Sequence, residues 1–223
     1  GFFYSRYPAP DGSEFSTENT FHSVYYHRVG TDQSEDRLVF KNEDEPNRYH
    51  FVGVSEDEKF LILNTSTGTD GNSIHVKKAY SDTSWLEVVG GFEHRSSVVG
   101  VVDGTIYLLT DIDAPKYRLV AIDSSNELSD VSKWVDVIPH SENLLESASI
   151  TGGAIFAQFL KNACNQVVRF ELDGSNPAEI TLPGSVGTTG GFGGKFEAKE
   201  LFYSFTSFTH PASVYRLDLV SGK

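Results

Sequence analysis

Apolar-aromatic hairpins recur along this chain at nearly constant spacing, each inside a set of four short strand-like runs, and no helical stripe is sustained. Those three observations predict an all-β fold, a partial β-propeller. The inner members of the hairpins are Phe2–Tyr4, Phe60–Leu63, Ile106–Leu109, Ile155–Phe159 and Leu201–Phe205. From Phe60 onward their starts lie 46, 49 and 46 residues apart. Four strands in about 40–50 residues is the period of a propeller blade.

The elements follow in order. The outer hairpin members are Val24–Arg28, Ile74–Lys77, Tyr117–Ile122, Val168–Leu172 and Val214–Leu219. A further strand follows each of the first four pairs: Arg37–Phe40, Trp85–Val89, Trp134–Ile138 and Glu179–Leu182. Another precedes each of the last four: Phe51–Ser55, Ser97–Val101, Glu146–Ile150 and Ser185–Phe192. Turn residues separate them, as at Glu56-Asp57-Glu58, Asp103-Gly104, Gly152-Gly153 and Asp173-Gly174. Val214, Arg216 and Asp218 alternate with Tyr215, Leu217 and Leu219, the period of a half-buried strand. Pro211 cannot donate to a ladder, so it is expected in the preceding link. The polar segment 123–133 has room for one helical turn at most.

These runs divide a single domain, 1–223, into about five blades. Residues 1–45 lack a first strand, 46–90, 91–141 and 142–184 are complete, and 185–223 lack a fourth strand. A blade cannot bury both of its faces alone, and each apolar side chain left exposed forfeits roughly 1.5–3 kcal/mol. The pattern therefore predicts a fragment of a larger ring, or self-association through open blade edges.

Composition sets further bounds. Lys and Arg number 18 against 31 Asp and Glu, a formal net charge of −13. That argues against a nucleic-acid backbone partner, which needs a basic stripe. No apolar run of about 18 residues is present, so no membrane span is expected. The single Cys164 excludes an internal disulfide and a cysteine-built zinc site, and it fits a reducing compartment. The expected location is the cytoplasm, with the periplasm as the alternative.

Catalytic and cofactor signatures are absent. No G-x-S-x-G nucleophile elbow occurs. The glycine-rich run 184–194 (GSVGTTGGFGG) matches neither phosphate-binding fingerprint and reads as an inner strand in a crowded place. The acidic clusters at 43–45 and 56–58 lack calcium-loop spacing. Neither a metal nor a cofactor is expected. The seven histidines, His22, His27, His50, His75, His94, His140 and His210, read as structural or surface residues. Asn64-Thr65-Ser66 fits a glycosylation pattern that also arises by chance. Trp85, Trp134 and the recurrent Phe residues read as packing between blades. Function is expected in the loops, above all the links between second and third strands: Tyr7–Ser23, Ser66–Ser73, Thr110–Lys116, Leu160–Gln166 and Thr206–Ser213.

Four stretches carry a family resemblance: YYHRVGTDQSEDRLVF (25–40), VSEDEKFLIL (54–63), APKYRLVAID (114–123) and FYSFTSFTHPASVYRLDL (202–219). Together they resemble the propeller domain of the prolyl oligopeptidases, also called prolyl endopeptidases, and are most similar to bacterial members. The resemblance runs over essentially the whole chain. It implies a seven-bladed propeller capping an α/β-hydrolase domain with a Ser-Asp-His triad, in a serine peptidase that cleaves short peptides after proline. This chain would hold about the last five blades. Its partners would be that catalytic domain, in the same polypeptide, and short proline-containing peptides that the propeller filters.

The resemblance also points to two substrate-pocket regions. Tyr49 stands where the family has an apolar pocket-lining residue. Ser66-Thr67-Gly68-Thr69 stands where animal members have an Arg-Glu-Gly-Cys stretch, and only Gly68 matches. The carbonyl-binding arginine is replaced by Ser66, so that role does not carry over. Tyr49 and Thr69 are the expected pocket-lining residues, with a purely structural place in a loop as the alternative for both. No catalytic residue is expected in the chain. Two other readings stay open: a free-standing propeller used for protein–protein interaction, and a relative such as oligopeptidase B.

Overall fold

The computed structural model describes residues 1–9, 12 and 18–222. Part of the link between Tyr7 and Ser23 therefore lies outside the described residues. Eighteen strands form five antiparallel sheets. Sheet I holds β1 (Phe2–Arg6), β2 (Ser23–His27) and β3 (Arg37–Phe40). Sheet II holds β4 (Tyr49–Val54), β5 (Phe60–Ser66), β6 (Asn72–Lys78) and β7 (Leu86–Val89). Sheet III holds β8 (Ser96–Val102), β9 (Thr105–Thr110), β10 (Arg118–Asp123) and β11 (Val135–Ile138). Sheet IV holds β12 (Leu144–Thr151), β13 (Ala154–Lys161), β14 (Cys164–Phe170) and β15 (Ala178–Glu179). Sheet V holds β16 (Thr188–Gly191), β17 (Glu200–Ser207) and β18 (His210–Asp218). Within every sheet the strands pair in chain order, as in a propeller blade, and the first and last sheets have three strands.

The chain divides into two compact units, 1–96 and 97–223. In unit 2 the apolar runs explain themselves. Along β13, Ile155, Ala157 and Phe159 pack with Tyr107, Leu119, Val137 and Leu145. Their neighbours Ala154 and Phe156 join Phe192, Leu201, Tyr203 and Phe205 on the other side. A middle strand covered on both faces has no polar side, so apolar residues occupy both faces of β13, broken only by Gln158 before its polar end. Strand β17 instead alternates: Leu201, Tyr203 and Phe205 are buried while Phe202, Ser204 and Thr206 are exposed, because only one of its faces is covered. Among the described residues of unit 1, the largest fully buried side chains include Val24, His50, Leu63, Ile74 and Val76.

Several boundaries depart from the sequence expectation. Pro211 lies inside β18, not in the link. It tolerates that place because β18 is the last strand of sheet V and its ladder with β17 is irregular between Phe205 and Ser207. The expected link Leu160–Gln166 shrinks to Asn162-Ala163, both with positive φ, as a two-residue hairpin turn requires. The run at 179–182 pairs only through Ala178 and Glu179, although Ile180 still donates its N–H to Val167 O. Trp134 does not open β11. It ends a 3-10 turn (Val131–Lys133), and its Nε1 donates to Leu128 O at 2.9 Å.

Of the glycine-rich run, only Thr188–Gly191 is strand. Its crowding comes from the next strand: a Cβ on Gly187 would sit 2.6 Å from both the Phe205 ring and Thr206 O. The segment at 32–36 forms a second 3-10 turn, Gln33–Glu35, capped by Asp32, whose carboxylate accepts from Ser34 N and Oγ.

Candidate functional site

The two regions singled out from the sequence meet at one end of unit 1. Tyr49 opens β4 and is the direct cross-strand partner of Ser66, the last residue of β5. The tight link after Ser66 carries Thr69. Its carbonyl and that of Asp70 accept from the Arg95 guanidinium, at 3.0 Å each, which ties the loop at 67–71 to the segment before β8. Thr69 thus contributes its backbone to a defined loop. Tyr49 is 42% exposed and turns an aromatic face to solvent. The nearby Arg48 pairs with Glu45 at 3.0 Å and lies over the Phe92 ring at 4.9 Å.

Behind Tyr49 lies an imidazole pair that sequence reasoning treated as ordinary structural histidines. His22 precedes β2 and is 8% exposed; His50 is the second residue of β4 and is 1% exposed. The His50 backbone N–H donates to His22 Nδ1 at 2.9 Å. A backbone N–H can only donate, so Nδ1 of His22 must be unprotonated. The His50 ring contacts Thr65 Oγ1 through Nδ1 at 3.0 Å, and the His50 carbonyl accepts from Ser5 Oγ at 2.7 Å. Tyr7, Tyr49 and Phe51 surround His22, with ring centroids 5.0, 5.8 and 5.3 Å away. Burial lowers the His22 pKa. Burial, then the neighbouring His22 and Arg48, lowers His50 to about 4. Burial also raises the Tyr7 phenol. No spacing in the sequence links residues 22 and 50, which is why the pair was missed.

A second polar cluster sits on sheet I and accounts for the G-T-D-Q-S-E-D segment. Tyr4 donates its hydroxyl to Asp36 Oδ2 at 2.6 Å, His27 Nδ1 meets Asp36 Oδ1 at 2.7 Å, and Gln33 Nε2 donates to the Tyr4 oxygen at 3.2 Å. The hydrogen bond from Tyr4 is the main cause holding the Asp36 carboxyl below its ordinary pKa. This places an Asp-His pair beside a tyrosine, not beside a serine or cysteine nucleophile. Its evident work is to join β1, β2 and the turn before β3. Among the described residues, no group of three or more His, Cys, Asp or Glu is placed to hold a metal ion. No helix among them is long and apolar enough to cross a membrane.

Comparison with known proteins fits this arrangement. The family model for the prolyl oligopeptidase N-terminal β-propeller domain matches residues 1–223. Prolyl endopeptidases of Elizabethkingia miricola and Elizabethkingia meningoseptica are 37% and 35% identical, over all of this chain and 31% of each relative. The chain thus spans about a third of the length of these relatives. A prolyl endopeptidase structure, studied for the role of inter-domain dynamics in catalysis and specificity, superposes with a TM-score of 0.90 at 27% identity. It covers all of this chain, which in turn covers 32% of that one. Prolyl oligopeptidase B from Galerina marginata gives a TM-score of 0.89 at 24% identity, covering 99% of this chain and 31% of that one, and supports the fold. The five sheets, their chain-order pairing and the match over the whole length place this chain in the prolyl oligopeptidase family, as its non-catalytic N-terminal β-propeller domain.

Proposed function

We propose that this propeller is the filter of a proline-specific serine peptidase. It covers the active site of an α/β-hydrolase domain in the same polypeptide and admits short proline-containing peptides. The observation that carries this reading is the pairing of a family match over residues 1–223 with coverage of about a third of the relatives' length. The chemistry is then assigned to the remainder of the protein. In this reading Tyr49 and the loop bearing Thr69 line the peptide's path: an exposed aromatic ring suits a proline ring, and the backbone of a fixed loop offers hydrogen bonds without losing side-chain entropy.

The test uses a fluorophosphonate probe and a chromogenic proline peptide. The purified chain of residues 1–223 should neither label nor turn over substrate, whereas the full-length protein should do both. Labelling of the isolated chain, with turnover abolished by the probe, overturns the reading. In the full-length protein, Tyr49→Ala should raise KM several-fold, about 1 kcal/mol of lost contact, with little change in kcat. An unchanged KM removes Tyr49 from the path.

A further inference from the structure

We propose that His22 is a positioning residue: its neutral imidazole latches the start of β4, and with it Tyr49, to the segment entering β2, and its protonation opens the latch. The latch does not depend on the role of Tyr49. Only its bearing on peptide entry rests on the filter reading above.

One kind of bond recurs between successive sheets. Near the start of β6, Asn72 Oδ1 accepts from the backbone N–H of Ser96 at 2.9 Å. Near the start of β14, Asn165 Oδ1 accepts from the N–H of Thr189 at 2.9 Å. Before β10, the Lys116 carbonyl accepts from the N–H of Leu145 at 3.0 Å. Each acceptor holds the first or second residue of the strand that opens the next sheet. At the start of β2 the same task falls to His22 Nδ1, which accepts from the N–H of His50 at 2.9 Å. An amide or carbonyl oxygen accepts at any ordinary pH. An imidazole nitrogen accepts only while neutral, because protonation turns it into a donor facing a donor. Of the four acceptors, His22 alone can be switched by a proton.

The surroundings set the direction of the switch. The ionisable groups facing the pair are Tyr7 from the link after β1, Tyr49 from β4, the two imidazoles themselves and Arg48 from the segment before β4. Among the described residues, no carboxylate contributes to the shift of either histidine. Burial lowers His22 from the ordinary imidazole value and brings His50 to about 4. A lowered pKa means that the neutral, latched state is complete above the ordinary imidazole range of about 6.5. Its contribution is lost as pH falls from there through the lowered values.

The test is hydrogen exchange of the β4 amides in the full-length protein, corrected for intrinsic chemistry, between about pH 7 and about pH 5. The wild type should lose roughly tenfold protection over residues 49–54 across that interval, as protonation of His22 removes the acceptor that holds the strand. His22→Asn keeps an acceptor near the position of Nδ1, as Asn72 and Asn165 already do, and removes the titration. Its β4 protection should stay flat at the neutral wild-type level. Because His50 remains in that variant, a flat profile assigns the switch to His22. A wild-type profile that is itself flat, or a His22→Asn profile that falls in parallel with wild type, overturns the proposal.

Discussion

Ala163 shows at the scale of one residue how much a side chain can cost where the fold needs a turn. It sits with φ +62° beside Asn162 with φ +52° in the two-residue link of the β13–β14 hairpin. Both central positions of such a turn require positive φ, which glycine and asparagine accept and alanine resists by about 1–2 kcal/mol. Ala163→Gly relieves that strain but gives the unfolded chain more freedom, worth about 0.4–1 kcal/mol in the other direction. A net gain of about 0.5 kcal/mol should appear as a higher urea midpoint with an unchanged slope. A lower midpoint would show that the turn is not of this type. This turn is hard to read from sequence because neither residue is a glycine, so the expected strands stop at Phe159 and resume only at Val168, whereas the hairpin runs on to Lys161 and starts again at Cys164. The same blindness hid His22 and His50. Their bond joins positions 28 apart, and nothing in local periodicity records a contact at that distance.

At the scale of elements, strand order is readable and strand ends are not. Period-two alternation marks β17 because one face is covered, and apolar residues at both odd and even positions mark β13 because both are. Pro211 is expected in the link because it cannot donate to a ladder, whereas an edge strand with an irregular ladder accommodates it. The attachment of sheet V to sheet IV shows what a strand pattern cannot convey. Phe192, with φ +63°, is stacked between Phe156 and Tyr203, at centroid distances of 6.0 and 4.7 Å. Its carbonyl accepts from Ser149 Oγ at 2.7 Å and from Thr151 Oγ1 at 3.0 Å. A bulky residue held in the left-handed region needs such over-determination. Thr151 is fully buried, so Thr151→Val keeps its shape and removes one donor. It should cost about 1 kcal/mol in denaturant unfolding. A variant as stable as wild type would mean that Ser149 and the ring stack hold Phe192 unaided.

For the whole molecule, the repeat was readable because each blade repeats one physical problem. A small sheet with two apolar faces must find covers, and the solution recurs with the same spacing. The candidate site was readable only in part. The resemblance located Tyr49 and Thr69, while their meeting at one end of unit 1 and the imidazole pair behind Tyr49 depend on register and packing. The proposed work of this chain is selection by access, and selection by access is a property of substrate size. The measurement that tests this most directly is kcat/KM of the full-length protein against a ladder of unstructured proline peptides of increasing length, with the scissile sequence held constant. Rates should be high for short peptides and fall steeply once the chain is too long to pass the propeller. A rate independent of length would contradict the account.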